Sequence, residues 1–521
     1  MKLNKKKTTA SILAQHPSKT SNLAGGTAFT TDPLTTLYSY VCTNLVNEPK
    51  FYKEINDTVK KISDVPETAH LRNLINQAAE IDPEFILQLA TYSRNHMNLR
   101  TISLVLLVES SLHPKCKKYV RQYTPSIVSR ADELMEATAY LQNRIGHLGN
   151  KASKGSMPAS LKKGLAESFD NFDEYHFAKY DRKGLVKLKD VVRLVHPKPR
   201  NAERALLYKR ILTDELKTPN TWEVVISTKG STPEQWESIA PKMPYMATLR
   251  NLRNFLDHNI PSLPSIAKKL SDPEAVLRSK QLPFRYLSAY REIQSHQNRH
   301  TSKILDALQS CLDVSCDNLP TLDGITLIVA DNSGSMDSPL STHSKVSLKD
   351  IANTLLCVMH KTCTDSITGV FADNFKTVNL SSRDGVLTNI EKVKQVYVGS
   401  GTYANTIFDY LLSKKVKVDR VILLSDMQCY EKSSPVFNIG NAPLASLVHK
   451  YRSSINPKMR FYSIDLAGYG TVQVPQDDPS TVLLAGWSER VLEYIQMFEE
   501  NKSDIIKTIK LYQVPRNDVK D

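Results

Sequence analysis

The spacing of apolar residues changes near Leu322, and that change sets what each part of this 521-residue chain can fold into. Before it, apolar residues recur at helical spacing in short runs such as Glu84–Arg94, Thr101–Leu112, Arg204–Leu212 and Met246–Leu256. Thr101–Leu112 is apolar on most sides, which predicts deep burial. Prolines punctuate the runs at Pro83, Pro114, Pro125, Pro158, Pro197, Pro233, Pro244, Pro264, Pro273 and Pro283. Successive short helices from about Thr35 to Cys316 suit an α-solenoid, in which each helix pair buries its face on the next.

After Leu322 the pattern alternates. Gly324–Asp331, Ser366–Ala372, Val418–Asp426 and Met459–Leu466 are β-branched apolar runs of strand length. Helical spacing occupies the intervals at Val346–Lys361, Thr402–Leu412 and Leu444–Tyr451, and again at Ser488–Phe498. Such alternation predicts a doubly wound, mostly parallel sheet with helices on both faces. The predicted division is a disordered basic tail over 1–24, a helical module over 25–321 and an α/β domain over 322–521.

Charge divides at the same place. From Asp323 onward there are 22 Lys/Arg and 22 Asp/Glu, leaving 46 basic and 32 acidic residues before it. The helical module therefore carries the whole net charge of +14, which points to a polyanionic partner. Lys151–Arg210 is the densest part, with fifteen basic and seven acidic residues. Within it Gly184–His196 is predicted as one helix that Pro197 ends, with Lys189, Arg193 and His196 along one stripe. Lys179, Arg182 and Lys183 lie in a loop just upstream, and Lys162 and Lys163 open another helix. Cations beside aromatic and apolar groups can hold phosphate and offer a stacking surface. A solvated helix face, or for His196 a helix-end role, is the structural alternative.

The seven cysteines are odd in number, and Cys311-x4-Cys316 and Cys357-x5-Cys363 lack zinc spacing. Free buried thiols and a cytoplasmic location are expected. No apolar run reaches the roughly 20 residues of a membrane-spanning helix.

Ligands of doubly wound sheets bind at the C-terminal ends of the strands. Asp331-Asn-Ser333-Gly-Ser335 follows the first strand, Gly399-Ser-Gly-Thr402 precedes a helix, and Asp426 ends a strand. These donors are all oxygen, which suits a hard divalent cation, Mg²⁺ or Mn²⁺. Gly334 and Gly401 are expected to let the backbone turn around it. No Gly-x4-Gly-Lys-[Ser/Thr] phosphate loop is present, and no base–nucleophile pair stands beside the carboxylates, so a nuclease is disfavoured.

With these residues in place, the C-terminal part resembles the von Willebrand factor A fold with its metal-ion-dependent adhesion site. The resemblance implies that Ser333, Ser335 and Thr402 ligate the ion, Asp331 and Asp426 bind it directly or through water, and an acidic partner fills the open position. Met157–Leu165, Lys179-Tyr180, Leu188–Pro199 and Met243–Leu252 are similar to the TROVE module of the Ro ribonucleoprotein family. That resemblance implies a ring of HEAT-like repeats closed by the A domain. It also implies a non-enzymatic scaffold for RNA quality control. Small structured Y-like RNA would bind outside the ring, and 3′ single-stranded ends of misfolded RNA would enter the central hole. An exoribonuclease would be a candidate partner. Lys179, Lys183 and His196 match its outer-surface contacts, with Arg182 and Arg193 beside them. A metal-dependent protein–protein adaptor is the alternative.

Overall fold

The computed structural model describes residues 19–21, 27–43, 66–145, 156–181, 186–218, 221–338, 346–430, 443–468, 471–475, 480–486, 490–501 and 504–514. Two short strands come first, β1 (Lys19–Ser21) and β2 (Thr27–Thr30). Lys19–Ser21 falls in the stretch whose composition predicts a disordered tail; it is ordered because it pairs antiparallel with β2. The rest of 1–24 lies outside the described residues.

Helices then follow one another from Pro33–Thr43 to Thr301–Ser315. Most of the prolines act as foreseen. Pro233, Pro273 and Pro283 each stand at a first helical position, where a missing N–H costs nothing. Pro125 does not break its helix, which runs Lys117–Ile127. It sits in the last turn, where only one intrahelical bond is forfeited. The expected helix over 246–256 is two, Tyr245–Arg250 and Leu252–Asp257, joined at Asn251. The helix expected from Gly184 begins only at Leu188, because the Asp190 carboxylate accepts the Lys187 N–H (3.1 Å) and caps the first turn there. Leu185 lies outside the described residues. Among those described, Leu188, Val191, Val192 and Val195 are buried. Thr101–Leu112 is buried along eleven of its twelve residues, as its apolarity demands.

The C-terminal part is a six-stranded sheet. Its strands are β3 (Leu322–Asp331), β4 (Cys363–Phe371), β5 (Phe375–Thr377), β6 (Arg420–Ser425), β7 (Arg460–Asp465) and β9 (Thr481–Ala485). The two-residue β8 (Thr471–Val472) pairs instead with β2. The order is β5-β4-β3-β6-β7-β9, parallel except for the edge strand β5. The chain goes from β3 outward to β4 and β5, then returns to β6 on the other side of β3. That reversal opens a crevice at the carboxyl ends of β3 and β6.

Alternate residues of the central strands face opposite layers. Leu327, Val329, Val421, Leu423 and Phe461 meet the helices Asn405–Ser413 and Leu444–Ser454. Ile328, Ala330, Ile422, Leu424 and Ile464 join a core that continues without a break into the helical module. The domain meets that module at both of its ends. At the first, the Ala485 N–H donates to the Tyr38 hydroxyl (3.3 Å) and Lys510 pairs with Asp82 (2.7 Å). At the second, Arg291 pairs with Asp350 (3.2 Å), Lys361 with Asp313 (3.0 Å), and Asp313 accepts the Val386 N–H (2.8 Å). The helical module and the A-type domain thus close on each other.

All seven cysteines are free, and six of them are buried. No described helix is long and apolar enough to cross a membrane.

The last large helix, Arg490–Asn501, is pinned to the sheet by one carboxylate. Glu499 takes both forks of the nearly buried Arg420 (2.8 and 2.7 Å) and also accepts from Arg460 (2.9 Å) and Tyr462 (2.9 Å). Burial pushes its carboxyl up, but the Arg420 guanidinium outweighs that and leaves it below the usual range. A lowered carboxyl stabilises above its unfolded pKa, and that contribution is lost as pH falls through the folded value. Glu499→Ala should destabilise the protein by about 3–5 kcal/mol in urea unfolding at neutral pH, because it leaves the nearly buried Arg420 without a countercharge. The gap between variant and wild type should narrow in acid.

Candidate functional site

Asp331 ends β3 and is fully buried. One of its oxygens accepts the Ser333 N–H (3.0 Å), and the other accepts the hydroxyl of Ser425 (2.7 Å), the last residue of β6. Parallel pairing of Ala330 with Leu424 brings these neighbours level. Asp426 follows at once, also fully buried, with Oδ1 accepting the Gln428 N–H (3.0 Å). Its Oδ2 is buried and, among the described residues, accepts no hydrogen bond of normal length.

The two hydroxyls of the first loop lie together, Ser333 Oγ being 3.2 Å from Ser335 Oγ. The loop 399–403 is laced to its neighbours through backbone. Gly334 N–H donates to Ser400 O (2.9 Å), Tyr403 N–H to Ala372 O (2.9 Å) and Tyr430 N–H to Thr402 O (2.7 Å). Asp331, Ser333, Ser335, Thr402 and Asp426 are therefore brought to one crevice by three loops. Asp331, Ser333, Thr402 and Asp426 form its buried floor, while Gly334, Ser335 and Ser400 are exposed at its rim.

Electrostatics of this floor are unfavourable as it stands. Burial, reinforced by the neighbouring charge of Asp426, pushes the Asp331 carboxyl up to about 7. Burial also raises Asp426, against the opposing Ser335 hydroxyl. Two buried carboxylates in apposition and an acceptor without a donor are what a hard divalent cation would resolve. The donor set fits Mg²⁺ or Mn²⁺: carboxylates and hydroxyls, with room for water at the exposed rim. Among the described residues, no group of three or more His, Cys, Asp or Glu side chains is arranged to hold a metal, so any cation must draw on the hydroxyls as well.

Three contributors were not foreseen. Asp373, just after β4, accepts the Gly401 N–H (2.8 Å) and the Ser400 N–H (3.4 Å) and so shapes the Thr402 loop. Gly399 and Gly401 leave the room that this contact needs. A Cβ on Gly399, whose φ is +97°, or on Gly401 would strike the Asp373 carboxylate. Gly334 has no such need of a left-handed conformation. Asp465 ends β7 as a third buried carboxylate, raised to about 7 by burial with Asp426 adding to it. Ser425 is the hydroxyl that holds Asp331. Each stands beside a strand end that the apolar pattern marks, which is the signal that could have found them.

The basic segment is less concentrated than its sequence suggests. Lys189 is held by Asp214, and Arg193 stands 3.9 Å from Asp190. Arg200 pairs with Asp170 (2.8 Å) and Arg210 with Glu174 (2.7 Å). Arg204 is structural, donating to the Asp170 carbonyl (3.0 Å) and to that of Phe172. Other cations remain available. Lys163 is exposed and Lys162 half-buried on the helix Ala159–Ser168. Lys179 lies over the rings of Tyr175 and Tyr180, 5.7 and 5.5 Å from their centroids. It is in the last turn of the helix Glu174–Tyr180, not in a loop. Among the described residues no carboxylate pairs with Lys162, Lys163, Lys179, Lys187 or Lys198. His196 is exposed and ends its helix in a left-handed C-cap conformation (φ 52°), its N–H donating to Val192 O (3.0 Å). Arg182 and Lys183 lie outside the described residues.

Comparison with known proteins follows the same division. The TROVE domain model matches residues 36–218 and 214–365, and the Ro60 vWA domain model matches 326–499. Telomerase protein component 1 of Mus musculus is 27% identical over 330 residues, 48% of this chain and 12% of that protein. The Rattus norvegicus counterpart is 26% identical over 327 residues, covering 47% and 12%. This chain thus spans only a small part of those relatives' length. The crystal structure of the Ro (RSR) protein of Deinococcus radiodurans superposes with a TM-score of 0.60 at 15% identity, over 90% of this chain and all of that one. The likeness is one of fold.

A raised carboxyl binds its proton more tightly in the folded state, so it stabilises at low pH. For the metal-free protein, stability should therefore fall as pH rises from about 4, the unfolded Asp value, through the folded Asp331 value of about 7. Asp331→Asn should raise the metal-free Tm at pH 7.5 and flatten that dependence. It should also abolish any Tm increase on adding Mg²⁺ or Mn²⁺, followed by differential scanning fluorimetry.

Proposed function

Because this chain belongs to the Ro family of TROVE-domain proteins, we propose that it is a non-enzymatic scaffold that holds structured non-coding RNA on its helical module. The observation that carries this reading is the set of lysines on the helices 159–195 and their connections that no carboxylate among the described residues neutralises, in a module that contributes all the net charge. Phosphate contacts supply affinity there, and the exposed Tyr175 ring beside Lys179 offers stacking surface. Recognition is then of shape and unpaired bases rather than of duplex sequence. Small Y-like RNA on this outer surface and 3′ ends of misfolded RNA in a central opening are the ligands proposed, in a role of RNA quality control.

The A-type domain has a separate part in this proposal. A divalent cation held by Ser333, Ser335, Thr402, Asp331 and Asp426 would leave a coordination position at the exposed rim for a partner's carboxylate. The buried Asp426 Oδ2, which among the described residues has no hydrogen-bond partner, favours this adaptor role beside the RNA role. An acidic protein surface, an exoribonuclease among the candidates, is the proposed occupant.

Lys163→Glu, Lys179→Glu and Lys198→Glu together should weaken binding of a structured RNA by at least tenfold in a filter-binding titration. The slope of log affinity against log salt should flatten by about one for each phosphate that the variant no longer neutralises. Unchanged affinity and slope would place RNA elsewhere. Asp331→Ala should leave RNA affinity within about twofold while removing EDTA-sensitive binding of an acidic peptide, a separation that follows from the distinct charge of the two halves.

A further inference from the structure

Asp426 is followed at once by a residue in an unusual backbone state. Met427 is fully buried and left-handed (φ 65°), a conformation that residues other than glycine rarely adopt. Such a state persists only where the surrounding structure over-determines it. We propose that the N-terminal strands β1 and β2 supply that hold. Docked through β8, they keep the cation crevice in its binding shape, and a bound divalent cation in turn fixes them in place. This rests on the cation reading of the crevice and adds a means of controlling it.

The first contact is apolar. Met427 packs with Val472 of β8 and Leu483 of β9, and Phe29 of β2 lies against them. This cluster is separate from the two larger cores. Beyond it, the Met427 sulfur accepts the Ser463 hydroxyl (3.2 Å) and the Met427 N–H donates to the Ser425 hydroxyl (3.1 Å). Phe29 stands opposite Val472 where β2 pairs with β8, and opposite Lys19 where β2 pairs with β1. Among the described strands, the two-residue β8 pairs with β2 alone, so its place depends on β2.

The second contact is polar. Gln473 follows β8, is 3% exposed, and directs its side-chain N–H at the Ser425 hydroxyl in a longer contact (3.4 Å). A hydroxyl has one proton and two lone pairs. With the Met427 and Gln473 N–H groups on its lone pairs, Ser425 has its proton left for Asp331 (2.7 Å). Asp426 is set by the turn at Met427, because the next residue, Gln428, donates its N–H to Asp426 Oδ1 (3.0 Å). Both carboxylates are thus oriented from β8, and release of β2 would loosen both. β2 leads through Asp32 into the helix Pro33–Thr43, which ties the crevice to the start of the helical module.

Calorimetric titration of the full chain with Mn²⁺, together with hydrogen exchange of the β2 and β8 amides, tests this. Phe29→Ala removes no ligand yet should weaken Mn²⁺ binding about fivefold or more, whereas Phe29→Leu should keep affinity within about twofold of wild type. Gln473→Leu, which keeps the volume and loses the donor, should also weaken it. Coupling is reciprocal, so saturating Mn²⁺ should slow exchange in β2 of the wild type by about fivefold or more, which a merely structural role would not produce. Unchanged affinity in Phe29→Ala, or exchange in β2 indifferent to Mn²⁺ in a wild type that binds it, would overturn the inference and leave the cation site standing. A wild type that binds no Mn²⁺ would overturn the cation reading, and this control with it.

Discussion

The parallel pairing of β3 with β6 is the constraint on which the rest of this molecule depends. Register alone makes Ala330 level with Leu424, so that the carboxylate ending one strand receives the Ser425 hydroxyl ending the other. A slip of one residue would turn Asp331 away and reverse which apolar side chains face which layer. Both strands are buried on both faces, which leaves no alternative register that keeps their apolar residues dry.

The same pairing links the two halves of the chain. One set of alternating residues is covered by helices of the domain itself, and the other shares a core with the helical module. The A-type domain is therefore built into the solenoid, meeting its first helices through β9 and its last through Asp313 and Asp350. The two seams differ in character. The second is closed by ion pairs and a half-buried hydrogen bond, whereas the first, which also has an ion pair and a buried hydrogen bond, encloses a cavity. The short sheet of β1, β2 and β8 adds a further tie at the first seam, with Phe29 packed against Met427, Val472 and Leu483.

Polar groups divide the functions by burial. Asp331, Asp426 and Asp465 are buried at strand ends, where desolvation raises each of them and makes a cation the natural complement. The lysines of the helical module lie at the surface, where solvent screens them singly and a polyanion gathers them. Several cations that look equivalent in the chain are spent on structure: Arg204 holds backbone carbonyls, and Lys189, Arg200 and Arg210 hold carboxylates.

By itself the amino-acid order determined which segments are helix and which are strand, where one kind gives way to the other, and which oxygens stand at strand ends. Those properties follow from local apolar period and from residues close in the chain, as with Asp331, Ser333 and Ser335. Tertiary structure alone decided that β9 would extend the sheet, that Lys19–Ser21 would pair, and that Asp373, Ser425 and Asp465 would join the crevice. It also decided which lysines stay unpaired, since Lys189 meets Asp214 and Arg200 meets Asp170 only once the helices pack. The reason is one of distance: these partners lie tens to hundreds of residues apart, and only packing and strand register bring their charges and lone pairs within reach.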